Sequence, residues 1–375
     1  MAQIFTGAAI FDGTRLVADA VLRVENGQVT VLGPSPGPST EVRLDGGILA
    51  PGFVDLQVNG GAGRMVDGTT TAESLAALCA CHARLGATSV LPTLITDTPK
   101  ATAQVLQAGM DAARQNVPGF LGLHLEGPHL DPRRKGAHDP ALLRPMTGAD
   151  LDQLVYAAAR LPSLMVTVAP EAVTAKQIAR LAAAGVIVSL GHSDCSHASA
   201  AAAVAAGARA VTHIFNAMSP LASREPGLVG AALTLPVHAG LIADGLHVAP
   251  DTIRIAMAAC PHRLFLVSDA MAAAGSPLTT FALNGRQVLR HEGALRLADG
   301  TLAGADLTLA QAVAVMCRVG TPVAVALAMA TSRPATCLGR EAALGHLLPG
   351  RQADMVHLDR SGTLDAVWRG GKRIL

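Results

Sequence analysis

The chain has 375 residues, half of them hydrophobic, a formal net charge of +1, and only one Trp, one Tyr and seven Phe. That length suits a barrel of roughly 250 residues with a modest extra domain. The balanced charge and scarce aromatics exclude a nucleic-acid platform, and no apolar run approaches the ~20 residues needed to span a bilayer. The partners expected are therefore small molecules, with no nucleic acid and no membrane.

The opening Met1-Ala2-Gln3-Ile4-Phe5 carries neither the basic nor the apolar segment of a signal peptide. Short β-like runs follow at 10–11, 17–24 and 29–32, punctuated by Asp12-Gly13, Asn26-Gly27 and Gly33-Pro34. The last 25 residues read the same way, with runs at 353–358 and 366–368 and a Gly370-Gly371 turn. The simplest arrangement joins both ends, 1–50 and 350–375, in one small β-sandwich domain, with a barrel over 51–349 inserted between them. From Pro51 the rhythm changes to short apolar strands, at 52–58, 89–94, 119–125, 164–168, 186–190, 210–214, 239–243 and 264–268. Helical patterns at 72–85, 98–115, 149–160, 175–184, 197–206 and 251–259 fill most of the gaps. Eight βα units predict a parallel sheet closed into a (β/α)8 TIM-type barrel. A doubly wound open sheet is the alternative, and the strand count disfavours it. Residues 271–304, with Asn284-Gly285 and Asp299-Gly300, read as a β excursion, followed by helices at 306–319 and 323–330. Six cysteines, Cys79, Cys81, Cys195, Cys260, Cys317 and Cys337, form no CxxC pair. They read as buried thiols of a reduced, cytoplasmic compartment.

In such a barrel the reactive groups lie at the C-terminal ends of the strands. Here those ends carry Asp55, Gln57 and Asn59; Glu126; His192; His213; Asp244 and His247; and Asp269. Glu126, His192 and His213 make a three-ligand set for a divalent metal that leaves a position for water. Asp269, on the closing strand, is then suited to general-base work. Each residue alone has an ordinary reading: a strand-end His as a hydrogen-bonded surface residue, Asp269 as a helix N-cap, Glu126 as a turn residue before Gly127-Pro128. Four such residues at four strand ends favour the joint reading. Eight further histidines, His82, His129, His197, His238, His262, His291, His346 and His357, fall outside the pattern and read as structural or exposed.

The segments 51–60 (PGFVDLQVNG), 123–128 (LHLEGP), 135–138 (KGAH), 191–193 (GHS), 212–218 (THIFNAM), 243–247 (ADGLH), 267–270 (VSDA) and 302–304 (LAG) occur in order along the chain. Together with Pro349-Gly350 and Ala353-Asp354 they resemble the N-acetylglucosamine-6-phosphate deacetylases of the amidohydrolase superfamily over essentially the whole length. The resemblance implies that Glu126, His192 and His213 hold one divalent ion, zinc or iron, and that Asp269 activates water. It further implies that His138 polarises the acetamido carbonyl. Asn216, the Ala217 backbone, Arg224 and His247 would contact an amino-sugar phosphate, with Arg224 and His247 as candidates for reaching across a homodimer interface into shared active sites. Many superfamily members carry His-x-His after the first strand; Gln57 and Asn59 stand there instead. An amide is a poor ligand beside imidazole, which argues against a second metal. The expected reaction is hydrolysis of N-acetyl-D-glucosamine 6-phosphate to glucosamine 6-phosphate and acetate. The galacto epimer is the nearest alternative. An amidase with a bridging lysine is disfavoured, since the four lysines, Lys100, Lys135, Lys176 and Lys372, lie at no strand end. A non-catalytic scaffold of the same fold would be expected to have lost ligands that are all present.

Overall fold

The computed structural model describes residues 2–33 and 40–375; the expected Gly33-Pro34 turn runs outside them at Pro34. Eight parallel strands form the central sheet: β1 (Val54–Val58), β2 (Ser89–Ile95), β3 (Leu123–Glu126), β4 (Leu164–Val168), β5 (Ile187–Leu190), β6 (Ala210–Val211), β7 (His238–Leu241) and β8 (Leu264–Leu266), each paired with the next in order. The sheet closes at its C-terminal rim, where Val58 and Ala270 form a parallel bridge. There Asn59 N donates to Ala270 O at 2.7 Å and Asp269 N donates to Gln57 O at 3.1 Å. β1, β3, β4 and β5 are buried along their whole length. Walled by side chains inside and by helices outside, they are rich in aliphatic residues, with buried polar side chains such as Asp55, Gln57, His124 and Glu126 set among them.

Helices start where threonines cap them. Thr71, Thr98, Thr147 and Thr174 each accept the N–H of the third residue on, opening Ala72–Arg84, Pro99–Arg114, Gly148–Ala158 and Ala175–Ala183. In three of them the side chain at that third position reaches back to complete a capping box. Two helices have no counterpart in the sequence reading, Gly227–Thr234 and Ser332–Leu338. Gly227–Thr234 (GLVGAALT) lies between β6 and β7 with seven of its eight residues buried. Apolar on all sides, it has no amphipathic period to betray it. β6 also ends sooner than its apolar run suggests, at Val211, because His213 and Phe215 take left-handed φ values of 30° and 78° that a strand cannot continue.

After β8 the excursion forms a four-stranded antiparallel meander, Thr280–Leu283, Arg286–His291, Ala294–Leu297 and Leu302–Ala305. Its first turn is Asn284-Gly285, with φ of 47° and 75° at the two central residues, the paired positive angles that a tight two-residue hairpin demands. The chain ends build two further sheets outside the barrel. One has four strands, Gln3–Thr6, Val21–Glu25, Gln28–Gly33 and Thr40–Arg43; the other has six and joins Ala9–Phe11, Leu16–Val17 and Ile48–Pro51 to Met355–Leu358, Leu364–Arg369 and Lys372–Arg373. A separate apolar cluster including Leu22, Val29, Leu49 and Met355 lies with these sheets, and Phe5 meets Trp368 edge-to-face at 5.3 Å.

All six cysteines are free thiols. Four are buried as expected, but Cys81 is half-buried and Cys317, near the end of the helix Leu309–Arg318, is exposed. No helix among the described residues is long and apolar enough to cross a membrane.

Candidate active site

Glu126 is the last residue of β3, and its carboxylate turns into the barrel mouth, 3% exposed. His192, His213 and Asp269 follow the ends of β5, β6 and β8. All three are non-glycine residues held at left-handed φ, 46°, 30° and 50°. Such backbone persists only where its surroundings hold it, and it gathers at functional sites. Here it turns each strand away from the barrel while its side chain stays at the mouth. Glu126 Oε1 lies 2.9 Å from His213 Nε2 and 3.3 Å from His192 Nε2, and the two imidazole nitrogens are 3.1 Å apart.

The chemistry of these donors fits a small divalent cation. His192 Nδ1 lies 2.8 Å from the Arg134 carbonyl, which can only accept, so Nδ1 donates and the Nε2 lone pair faces Glu126. A tetrahedral ion with bonds of roughly 2.0–2.2 Å spaces its ligands roughly 3.3 Å apart, close to the separations found. Burial by itself would raise Glu126, but the hydrogen bonds and charges of His192 and His213 outweigh it and hold the carboxyl well below its usual range. Burial likewise disfavours a charged His213, yet the Glu126 carboxylate wins and raises it. A site that draws a proton onto imidazole to answer a buried carboxylate draws a metal ion for the same reason.

Asp269 sits across from this cluster. Burial, then the Glu126 charge, push it up to about 6. Gln57 and Asn59 receive it: Gln57 Nε2 donates to Asp269 Oδ1 and to Glu126 Oε1, both at 3.1 Å, and Asn59 Nδ2 donates to Asp269 Oδ1 at 2.6 Å. A group between two carboxylates must be a donor, so the Gln57 amide presents its NH2. That nitrogen has no lone pair for a second metal. Beneath them Asp55 accepts the backbone N–H groups of Gln57 and Ser268, and burial lifts it to about 7.

Glu126, His138, His192, His213, Asn216, Ala217, His247 and Asp269 all line one cavity of about 380 Å³, a volume typical of small-ligand sites. His247 is held by Asp244, whose Oδ2 lies 2.6 Å from Nδ1. Arg224 stands apart: it is exposed, on the segment before Gly227–Thr234, and does not line the cavity. The cavity also takes Arg296, Thr301 and Leu302 from the meander and Ile95 and Met271 from strand ends. The sequence reading assigned none of these a role. The only signal was the Leu302-Ala303-Gly304 motif, since the meander reaches the mouth only through tertiary folding. His82 and His124 are buried, held by carbonyls of Gly60 and Leu56, and burial pushes both down to about 4. His82 is thus structural, as expected.

The model of the Amidohydrolase family matches residues 48–374. The chain belongs to this family. Amidohydrolases are metal-dependent hydrolases, and the buried Glu126, His192 and His213 are a group suited to such an ion. Among curated relatives, the N-acetylgalactosamine-6-phosphate deacetylase of Shewanella sp. (strain ANA-3) is 38% identical, over 98% of this chain and 95% of that protein. The crystal structure of N-acetylglucosamine-6-phosphate deacetylase from Pasteurella multocida superposes with a TM-score of 0.95 at 30% identity, covering 100% of this chain and 99% of that one. A mutant of the deacetylase from Mycobacterium smegmatis, in complex with N-acetyl-D-glucosamine-6-phosphate, superposes with a TM-score of 0.88 at 32% identity, again over 100% and 99% of the two chains.

In this amidohydrolase the Gln57 amide links the Glu126 and Asp269 carboxylates. Gln57→Leu keeps the approximate volume and removes the N–H that Glu126 and Asp269 share. Metal affinity, measured by competition with a chelator, is expected to fall about 10–100-fold, the usual effect of losing a partner of a metal ligand; unchanged affinity would exclude that linking role.

Proposed function

We propose that this amidohydrolase removes the acetyl group of N-acetyl-D-glucosamine 6-phosphate, giving D-glucosamine 6-phosphate and acetate, with one divalent ion per chain held by Glu126, His192 and His213. The observation that carries the reading is the meeting of that ligand set, a buried carboxylate at Asp269 and an imidazole at His138 in one cavity. The names of the deacetylases it resembles support the substrate class. Zinc is the ion proposed; iron is the other candidate, since carboxylate–imidazole sites accept both.

When bound, the ion supplies Lewis acidity, which polarises the acyl oxygen and acidifies water. The protein's own groups do the rest. Asp269 takes the proton of the attacking water, and the adjacent cation favours the ionised carboxylate needed for this. His138 donates a hydrogen bond to the acyl oxygen as negative charge develops on it. Asp269, now protonated, returns its proton to the departing amine nitrogen. Asn216, the Ala217 backbone and His247 line the same cavity and are proposed to hold the sugar phosphate. Arg224 is proposed to serve the site of a second copy in a homodimer. It is exposed here, and Leu221, three residues before it, is an apolar side chain left 55% exposed.

The test is acetate release from a panel of N-acetyl sugars by metal-replete protein. Turnover of N-acetylglucosamine 6-phosphate, loss on chelation and about one tightly held ion per chain are expected. The galacto epimer belongs on the panel because of the Shewanella relative's name. Turnover of that epimer alone would move the assignment to it, and two tightly bound ions, both needed, would refute the single-metal reading. Asp269→Asn keeps the shape but not the basicity; kcat should drop roughly 10²–10⁴-fold with folding and metal content retained, and near-normal turnover would remove Asp269 as the base. Arg224→Ala should impair use of the phosphorylated sugar far more than of the free sugar, because a guanidinium reads phosphate through paired hydrogen bonds. An equal effect on both sugars would reject the phosphate role.

A further inference from the structure

His138 enters the cavity from the segment between β3 and the helix Gly148–Ala158, with its side chain 4% exposed. Its Nε2 points into the site, 3.9 Å from Glu126 Oε2. Its Nδ1 faces away, toward Thr96, the residue that follows β2. Two groups of Thr96 meet that nitrogen: the backbone N–H at 3.3 Å and the hydroxyl at 2.7 Å.

We infer that Thr96 is a positioning residue that fixes the tautomer of His138, holding its ring proton on Nε2 so that it faces the reacting centre as a donor. A backbone amide can only donate, so Nδ1 must accept. Its lone pair is then committed to Thr96, and the proton of the neutral ring sits on Nε2. The hydroxyl has a single proton and two acceptors in reach, this nitrogen at 2.7 Å and the Glu126 carbonyl at 3.4 Å, and the shorter contact takes it. The opposite tautomer would deprive the Thr96 N–H of this acceptor in a residue 1% exposed, which is unfavourable.

The geometry around Thr96 keeps it in place. Asn284, in the first turn of the meander, donates to the Thr96 carbonyl at 3.1 Å. The Glu126 carbonyl lies 3.4 Å from the Thr96 hydroxyl, and the next residue is Gly127, at φ 91°, where a Cβ would stand 2.2 Å from that hydroxyl oxygen. β2, β3 and the meander thus converge on one threonine, whose polar groups orient one imidazole. The acyl oxygen as recipient of the Nε2 proton rests on the deacetylase reading above; the tautomer does not.

The decisive measurement is the nitrogen-15 spectrum of the histidine rings in zinc-loaded protein, read without substrate and alongside kcat and KM. In the wild type His138 should show an unprotonated Nδ1 and a protonated Nε2. Thr96→Val removes the shorter of the two donors. The His138 ring-nitrogen shifts should move toward one another as the tautomers mix, and kcat should fall about 10-fold, at the low end for an outer partner of a site imidazole. KM should stay within about twofold, because the lost interaction is realised in the transition state. Thr96→Ser, which keeps the hydroxyl, should restore both spectrum and kcat. A wild-type His138 protonated on Nδ1 would overturn the inference, as would a Thr96→Val protein with unchanged ring shifts and turnover. Failure of wild-type protein to release acetate would instead reject the substrate assignment and leave the tautomer measurement standing.

Discussion

A carboxylate sealed inside a barrel mouth must be answered by positive charge and hydrogen bonds, because water is not there to do it. Glu126 is that carboxylate, and the mouth is organised around its Oε1. His213 and His192 approach it from the ends of β6 and β5, and the Gln57 amide from β1. Three strands must therefore finish at the same height and on the same side. A closed barrel of fixed strand order meets that requirement, whereas the two edges of an open sheet would diverge. The seam that closes the barrel also places a second carboxylate: the bonds joining residues 57–59 to 269–270 tie β1 to the chain after β8 and bring Asp269 beside Gln57 and Asn59.

Orientation of imidazoles is the second organising theme. Three of the site rings are fixed through the nitrogen that faces away from the cavity, whereas His213 Nδ1 is buried with no hydrogen-bond partner among the described residues. His192 is bound by the Arg134 carbonyl, His247 by the Asp244 carboxylate and His138 by Thr96. The first two partners accept, which leaves the opposite nitrogen a lone pair. The third donates, which leaves the opposite nitrogen a proton. Rings of identical composition thereby present a lone pair at one place in the cavity and a proton at another, and the difference lies in their outer partners.

The strained backbone belongs to the same logic. His192, His213 and Asp269 all lie at left-handed φ, an arrangement costly for ordinary side chains. It persists because the adjacent strands are buried and paired. These side chains at strand ends thus draw their precision from the strands, while the polypeptide beyond is free to wander into helices, loops or the meander.

Much of this was legible before any coordinates. Alternating apolar runs and amphipathic stretches identify the barrel because both periods are local properties of the chain. Glu126, His192, His213 and Asp269 could be picked out because each follows an apolar run, where a barrel exposes its chemistry. The helix Gly227–Thr234 escaped because a segment apolar on every side has no period to detect. Gln57 could be seen as a missing histidine, but its amide bridges residues 69 and 212 positions away, and the direction of that bond is a property of the closed barrel. The same holds for Thr96 and for the meander's part in the cavity. Residue types at strand ends are written in the sequence; which nitrogen of each ring carries a proton is decided only when distant strands meet, because a hydrogen bond takes its direction from both partners at once.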